Sequence, residues 1–253
     1  MAAIPESVRV KIERADKHIV DLKSAIDDFW KRRPYQFIGY LDAQGRPTYQ
    51  VADTKPIDPM IPTIAGDAIQ CLRSALDRMA CALWQRTNCG DCKIYFPIAD
   101  DAAKYKSEAL GKVKGLRQDA VDAIAAIEPY QGGNGEALWS LHRLSIIDRH
   151  RLPLTVGGGN LGVHIPSLYA NIFPELAESG AYIISVAQYR APLKKGDIIF
   201  VDDPGREVQK DLQLPLFIFF DEPGIFERKP VIPSLKLLRD SVNNAVNSLA
   251  LLL

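Results

Sequence analysis

An arginine and a histidine seven residues apart, Arg143 and His150, lie in the run Leu141-His142-Arg143-Leu144-Ser145-Ile146-Ile147-Asp148-Arg149-His150-Arg151. That spacing is close to two turns of a 3.6-residue helix, so both side chains project from nearly the same face. A cation and an imidazole along one groove suit cleavage of an RNA phosphodiester. The histidine takes the 2′-hydroxyl proton, and the arginine offsets charge on the phosphorane-like transition state. An ordinary histidine pKa of ~6.5 serves that step at neutral pH without tuning. The plainer reading weighs more. The same face carries Ile146 and Ile147, so His150 packs partly buried against a carboxylate such as Asp77.

Two further pairs have ion-pair spacing: Arg73 and Asp77 four apart, Asp148 and Arg151 three apart. If their helices pack, the four merge into one charge network, which either marks a binding site or fixes the packing register. Cys89-Gly90-Asp91-Cys92 has the CxxC form of zinc ribbons and redox motifs. Zinc wants a second ligand pair, whereas Cys71 and Cys81 are ten apart on a helix and only four histidines exist. A thioredoxin-like role needs a βαβ setting that the pattern lacks. The motif therefore reads as an incidental loop, the four cysteines as free thiols, and no metal is expected. Gly157-Gly158-Gly159-Asn160 lacks the Lys-Ser/Thr of a P-loop and reads as a hairpin turn. No pattern in the chain points to a cofactor.

These residues need helices to position them. Over residues 7–33 the apolar positions Val8, Ile12, Ala15, Ile19, Leu22, Ile26 and Phe29 alternate spacings of four and three, a heptad seam that Pro34 ends. Residues 35–41 and 47–52 are β-prone runs joined by Asp42-Ala43-Gln44-Gly45-Arg46, a connection of hairpin length. A Pro-rich passage leads into a helix over 64–86, with Ile69, Leu72, Leu76, Ala80 and Leu83 on one face. Ile94-Tyr95-Phe96 is strand-like, a weaker helix opens at Asp100, and further helices cover 116–127 and 136–152. Short Val-, Ile-, Phe- and Tyr-rich runs at 154–156, 181–189, 197–201 and 214–220 predict antiparallel strands. The last helix, 234–253, repeats Leu235, Leu238, Val242, Ala245 and Leu249, with Ser234 placed to cap it. Helices first and last with a sheet between make the class α+β.

A chain of 253 residues, 47% hydrophobic and 25% charged, is long enough for a sizeable core. The two terminal heptad stripes favour a single α+β domain over 1–253, with a bundle core at 7–33, 64–152 and 234–253 and a β region at 35–52 and 154–221. With 31 basic and 31 acidic residues there is no bulk field toward phosphate backbones or acidic lipid, so any contact with RNA comes from a local patch. The N-terminus lacks the apolar core of a secretory signal, and no apolar stretch is long enough to span a membrane. The expectation is a cytoplasmic protein with no membrane partner.

Gly66-Asp67-Ala68-Ile69-Gln70-Cys71-Leu72-Arg73-Ser74-Ala75-Leu76-Asp77 and residues 138–151 resemble a widespread family of uncharacterised bacterial proteins. Its members carry a GDxLxxLRSALDHL helix, an FPI strand, an LxPYQ segment and an LWxLHxLxxIDKHR helix. Phe96-Pro97-Ile98 and Ile127-Glu128-Pro129-Tyr130-Gln131 match the middle two. That family looks distantly like the HEPN superfamily, helical bundles in which an Arg followed by four to six residues and a His forms a metal-independent RNase centre at a dimer interface. The resemblance implies an RNA-binding or RNase-type protein, working as a homodimer, with His150 and Arg143 as catalytic residues. Family members carry Glu at the position of Arg143, Asn at Ile146 and His at Gln70 and Arg78. The retained Arg73, Asp77, Asp148, His150 and Arg151 then form a shared polar site, of which the alternative use is non-catalytic binding of a small ligand, or of a protein partner.

Overall fold

The computed structural model describes residues 3–149, 154–158, 193–202, 204–208, 216–227 and 229–253. His150, Arg151 and the strand expected at 181–189 lie outside them. Six helices are described: α1 (Glu6–Lys31), α2 (Met60–Gln85), α3 (Ala102–Lys104), α4 (Gln118–Ala126), α5 (Glu136–Ile147) and α6 (Val231–Ala250). Five strands accompany them: β1 (Tyr35–Leu41), β2 (Pro47–Thr54), β3 (Leu154–Gly158), β4 (Ile198–Val201) and β5 (Leu216–Phe220). The class is α+β. Backbone packing groups the chain into two compact units, Met1–Asp27 with Asp58–Leu154 and Phe220–Leu253, and Asp28–Ile57 with Thr155–Phe219. Most of the expected bundle core falls in the first unit, and most of the expected β region in the second.

In the first unit α2 is the central element. Ile61, Ala65, Ile69, Leu72, Leu76, Met79 and Leu83 are all buried on its faces, and α5 and α6 pack against it. The helix starts at Met60, four residues before the expected start at 64. Pro62 sits in its first turn, where a missing N–H costs nothing, and Asp58 Oδ1 accepts the N–H of Met60 at 3.0 Å. On α6, Leu235, Leu238, Val242 and Leu249 are buried in the expected register. Ser234, expected to cap it, instead lies inside its first turn, and its hydroxyl donates to the Pro230 carbonyl at 2.8 Å. The heptad positions Val8, Ile12, Ala15, Ile19 and Leu22 of α1 are likewise buried. Asp16 of α1 meets Arg239 of α6 at 2.9 Å, so the two terminal helices touch. The weak helix near 100 is a short α turn that passes into a π turn (Tyr105–Ala109) and a 3-10 turn (Leu110–Val113). Its cap is Asp101, whose side chain accepts the N–H of Lys104 at 2.8 Å.

In the second unit β1, β2 and β4 form an antiparallel sheet with β2 in the middle, and β3 pairs with β5. The β1–β2 connection is tied by Asp42, whose Oδ1 accepts the N–H groups of Gln44 and Arg46, both at 2.9 Å. Gly45 takes φ +71° there, a conformation that costs residues with a β-carbon. Gly157 and Gly158, read as part of a turn, belong to strand β3, and Gly159 and Asn160 lie outside the described residues.

Candidate functional site

The first unit holds a cleft of about 340 Å³. One wall is α2, which contributes Gln70, Arg73, Ser74 and Asp77, the i, i+3, i+4, i+7 stripe of a single helical face. The opposite wall is α5 and the residues after it, with His142, Ser145 and Arg149. Tyr95, Phe96 and Ile98 close one side, and Lys112 of the 3-10 turn reaches in. The strand expected at 94–96 is an irregular run that is not part of a sheet.

Arg73 and Asp77 anchor that run. Asp77 Oδ1 accepts the N–H of Phe96 at 2.9 Å, and Arg73 Nη2 donates to the Phe96 carbonyl at 3.1 Å. The pair thus grips both sides of one residue's backbone. Arg73 Nη1 also lies 2.9 Å from Asp77 Oδ1, close enough for an ion pair. Burial pushes the Asp77 carboxyl above the usual carboxylate range, against the pull of Arg73 and the Phe96 N–H. Burial also lowers the Arg73 guanidinium, against the pull of Asp77.

His142 was not singled out from the sequence. Its pKa is lowered to about 4 by burial first, then by Arg73, Lys112 and Arg143, with Asp100 opposing. The ring is therefore neutral at pH 7, and its Nδ1 is buried with no partner among the described residues. Asp148 joins α5 to α2 by accepting from Gln70 Nε2 at 3.0 Å, while the same Gln70 group donates to the Ser145 carbonyl at 2.9 Å. Asp148 thus bonds to a residue of the cleft wall, rather than to Arg73 or Asp77. Gly66 permits this close approach, because a β-carbon there would run into the Asp148 carboxylate.

Arg143 is half-buried and is not part of the cleft wall; its charge adds to the lowering of Asp100, held down first by the Trp139 N–H and then by Lys104, and of His142, held down first by burial. The Arg143–His150 and Asp148–Arg151 pairings involve residues outside the described set. Of the residues missed, His142, Ser145 and Arg149 have a legible signal, since their i, i+3, i+7 spacing matches one helical face. Lys112 has none, because an irregular turn delivers it.

The cysteines correct the free-thiol reading. Cys81 and Cys92 form a disulfide with Cα atoms 5.7 Å apart, and Cys71 and Cys89 remain free. The physical cause is the anchoring of Phe96 on Asp77. It lays the run before it along α2, where Cys81 lies one turn beyond Asp77. Spacing alone held no sign of that approach. Among the described residues no cluster of three His, Cys, Asp or Glu side chains is placed to hold a metal ion. No described helix is long and apolar enough to cross a membrane.

Three cations (Arg73, Lys112, Arg149) and one carboxylate (Asp77) face the cleft, so its local charge is positive although the chain's formal net charge is zero. Such a cleft attracts an anion and offers it N–H donors. No protein-family model, curated protein or solved structure matches the chain.

Proposed function

We propose that the protein binds a small anionic ligand, bearing a carboxylate or phosphate group, in the cleft between α2 and α5. The observation that carries this reading is His142 Nδ1, buried without a partner among the described residues, in a cleft that Arg73, Lys112 and Arg149 also line. A buried polar group without a partner costs about 1–3 kcal/mol. An oxygen acceptor on a ligand recovers that cost when Nδ1 carries the ring proton, and charge-assisted bonds from the cations of the cleft add to it.

Calorimetric titration with inorganic phosphate and with citrate tests it. Lys112 and Arg149 are exposed, so replacing either with alanine leaves the fold in place and is expected to weaken binding about three- to tenfold at low salt. No detectable heat with either anion at millimolar concentration, or affinities unchanged in both variants, would count against the reading.

A second reading, a HEPN-like RNA-binding or RNase-type protein acting as a homodimer, draws support from Tyr95. The residue is 63% exposed and lines the same cationic cleft, a placement suited to stacking a base while the cations take a phosphate. In this reading His150 and Arg143 remain the proposed catalytic residues. Cleavage of a labelled single-stranded RNA at equal rates by the wild type and His150→Ala rules that mechanism out. A monomer by light scattering at all concentrations removes the paired site.

A further inference from the structure

The disulfide does not follow the CxxC motif. Cys92 is bonded to Cys81 of α2, whereas Cys89, the motif's other cysteine, is an exposed free thiol. The chain bends between them at Gly90, which has φ +99° and no atom within 4 Å of where a β-carbon would stand. The bend is thus uncrowded, and CxxC spacing is one at which two cysteines readily bond to each other. A third cysteine therefore stands beside an existing disulfide in the same short loop.

We propose that Cys89, Cys92 and Cys81 form a thiol–disulfide exchange site that controls how firmly the cleft wall is held to α2. The Cys89 thiolate attacks Cys92 Sγ, the Cys89–Cys92 bond forms, the Cys81–Cys92 bond breaks, and Cys81 leaves as a thiolate that takes up a proton. One bond replaces another, with no net oxidation or reduction. In the Cys81–Cys92 form the run 92–98 is fixed to α2 twice, by the disulfide and by the grip of Arg73 and Asp77 on Phe96. Exchange removes the first anchor and leaves the second, which loosens the segment that brings Tyr95 and Phe96 to the cleft. The exchange itself does not depend on what the cleft binds.

Peptide mapping under non-reducing conditions, after alkylation of free thiols, tests it on the full chain held at pH 7 and at pH 9. In the wild type the Cys81–Cys92 bond is expected at pH 7, with Cys89–Cys92 growing in at pH 9, where thiol–disulfide exchange runs faster, at a rate independent of protein concentration. Cys89→Ser is expected to keep Cys81–Cys92 at both. Cys81→Ser, oxidised with glutathione disulfide, is expected to trap Cys89–Cys92. A wild type that holds Cys81–Cys92 alone at both pH values overturns the proposal whatever the variants do. Recovery of all four thiols alkylated from unreduced protein overturns it as well.

Discussion

At Arg73 a guanidinium side chain only 12% exposed shares Asp77, itself 28% exposed, with the N–H of Phe96. Removing one partner leaves the other charged and largely desolvated. Arg73→Met is therefore expected to destabilise the protein by roughly 2–4 kcal/mol in urea unfolding. Adding Asp77→Leu should recover part of that loss, since two apolar side chains replace a pair that was costly to desolvate. Strict additivity of the two single variants would show that the residues do not act together. His142 supplies a pH test. Its folded pKa, about 4, is below the unfolded value near ~6.5, so the unfolded chain binds more protons between those limits. Stability from this group is complete above the unfolded pKa and is lost as pH falls toward the folded one. The expected loss is about 1–2 kcal/mol after allowance for partial solvent screening. Urea unfolding followed from pH 7 to pH 4 should show this decline, and His142→Gln should flatten it.

Between elements, the contact of α2 with α5 depends on a missing side chain. An alanine in place of a mid-helix glycine ordinarily gains up to about 1 kcal/mol. At Gly66 the new β-carbon meets the Asp148 carboxylate and displaces its bond to Gln70, and overpacking of that kind costs roughly 1–3 kcal/mol. The second effect wins, so Gly66→Ala should lower the melting temperature; a rise would show that α5 does not approach α2 so closely. The α1–α6 contact has the opposite character. The Asp16–Arg239 pair is 44% and 28% exposed, and pairs of that kind are worth about 0–1 kcal/mol. What holds α1 is the buried stripe through Val8, Ala15 and Leu22.

For the whole chain, the Cys81–Cys92 cross-link closes a short loop, with a sequence separation of 11. A loop of that length restricts the unfolded ensemble by about 2–3 kcal/mol. Reductant should lower stability by up to that amount in the wild type and by nothing in a Cys81→Ser, Cys92→Ser variant, as read by urea unfolding. The long helices and the β1–β2 hairpin were legible in the sequence because they rest on local rules: apolar residues repeating with the helical period, prolines that end runs, and a glycine-bearing connection of fixed length. Arg73 and Asp77 were legible as a pair for the same reason, being four apart on one helix. The cleft was not. The His142, Ser145 and Arg149 face could be read from its spacing, but its meeting with Arg73 and Lys112 depends on how α2, α5 and the 3-10 turn pack, which no spacing along the chain encodes. The Cys81–Cys92 bond was hidden in the same way. Sequence separation says how far two thiols can reach, whereas the grip of α2 on the backbone of Phe96 decides which two meet.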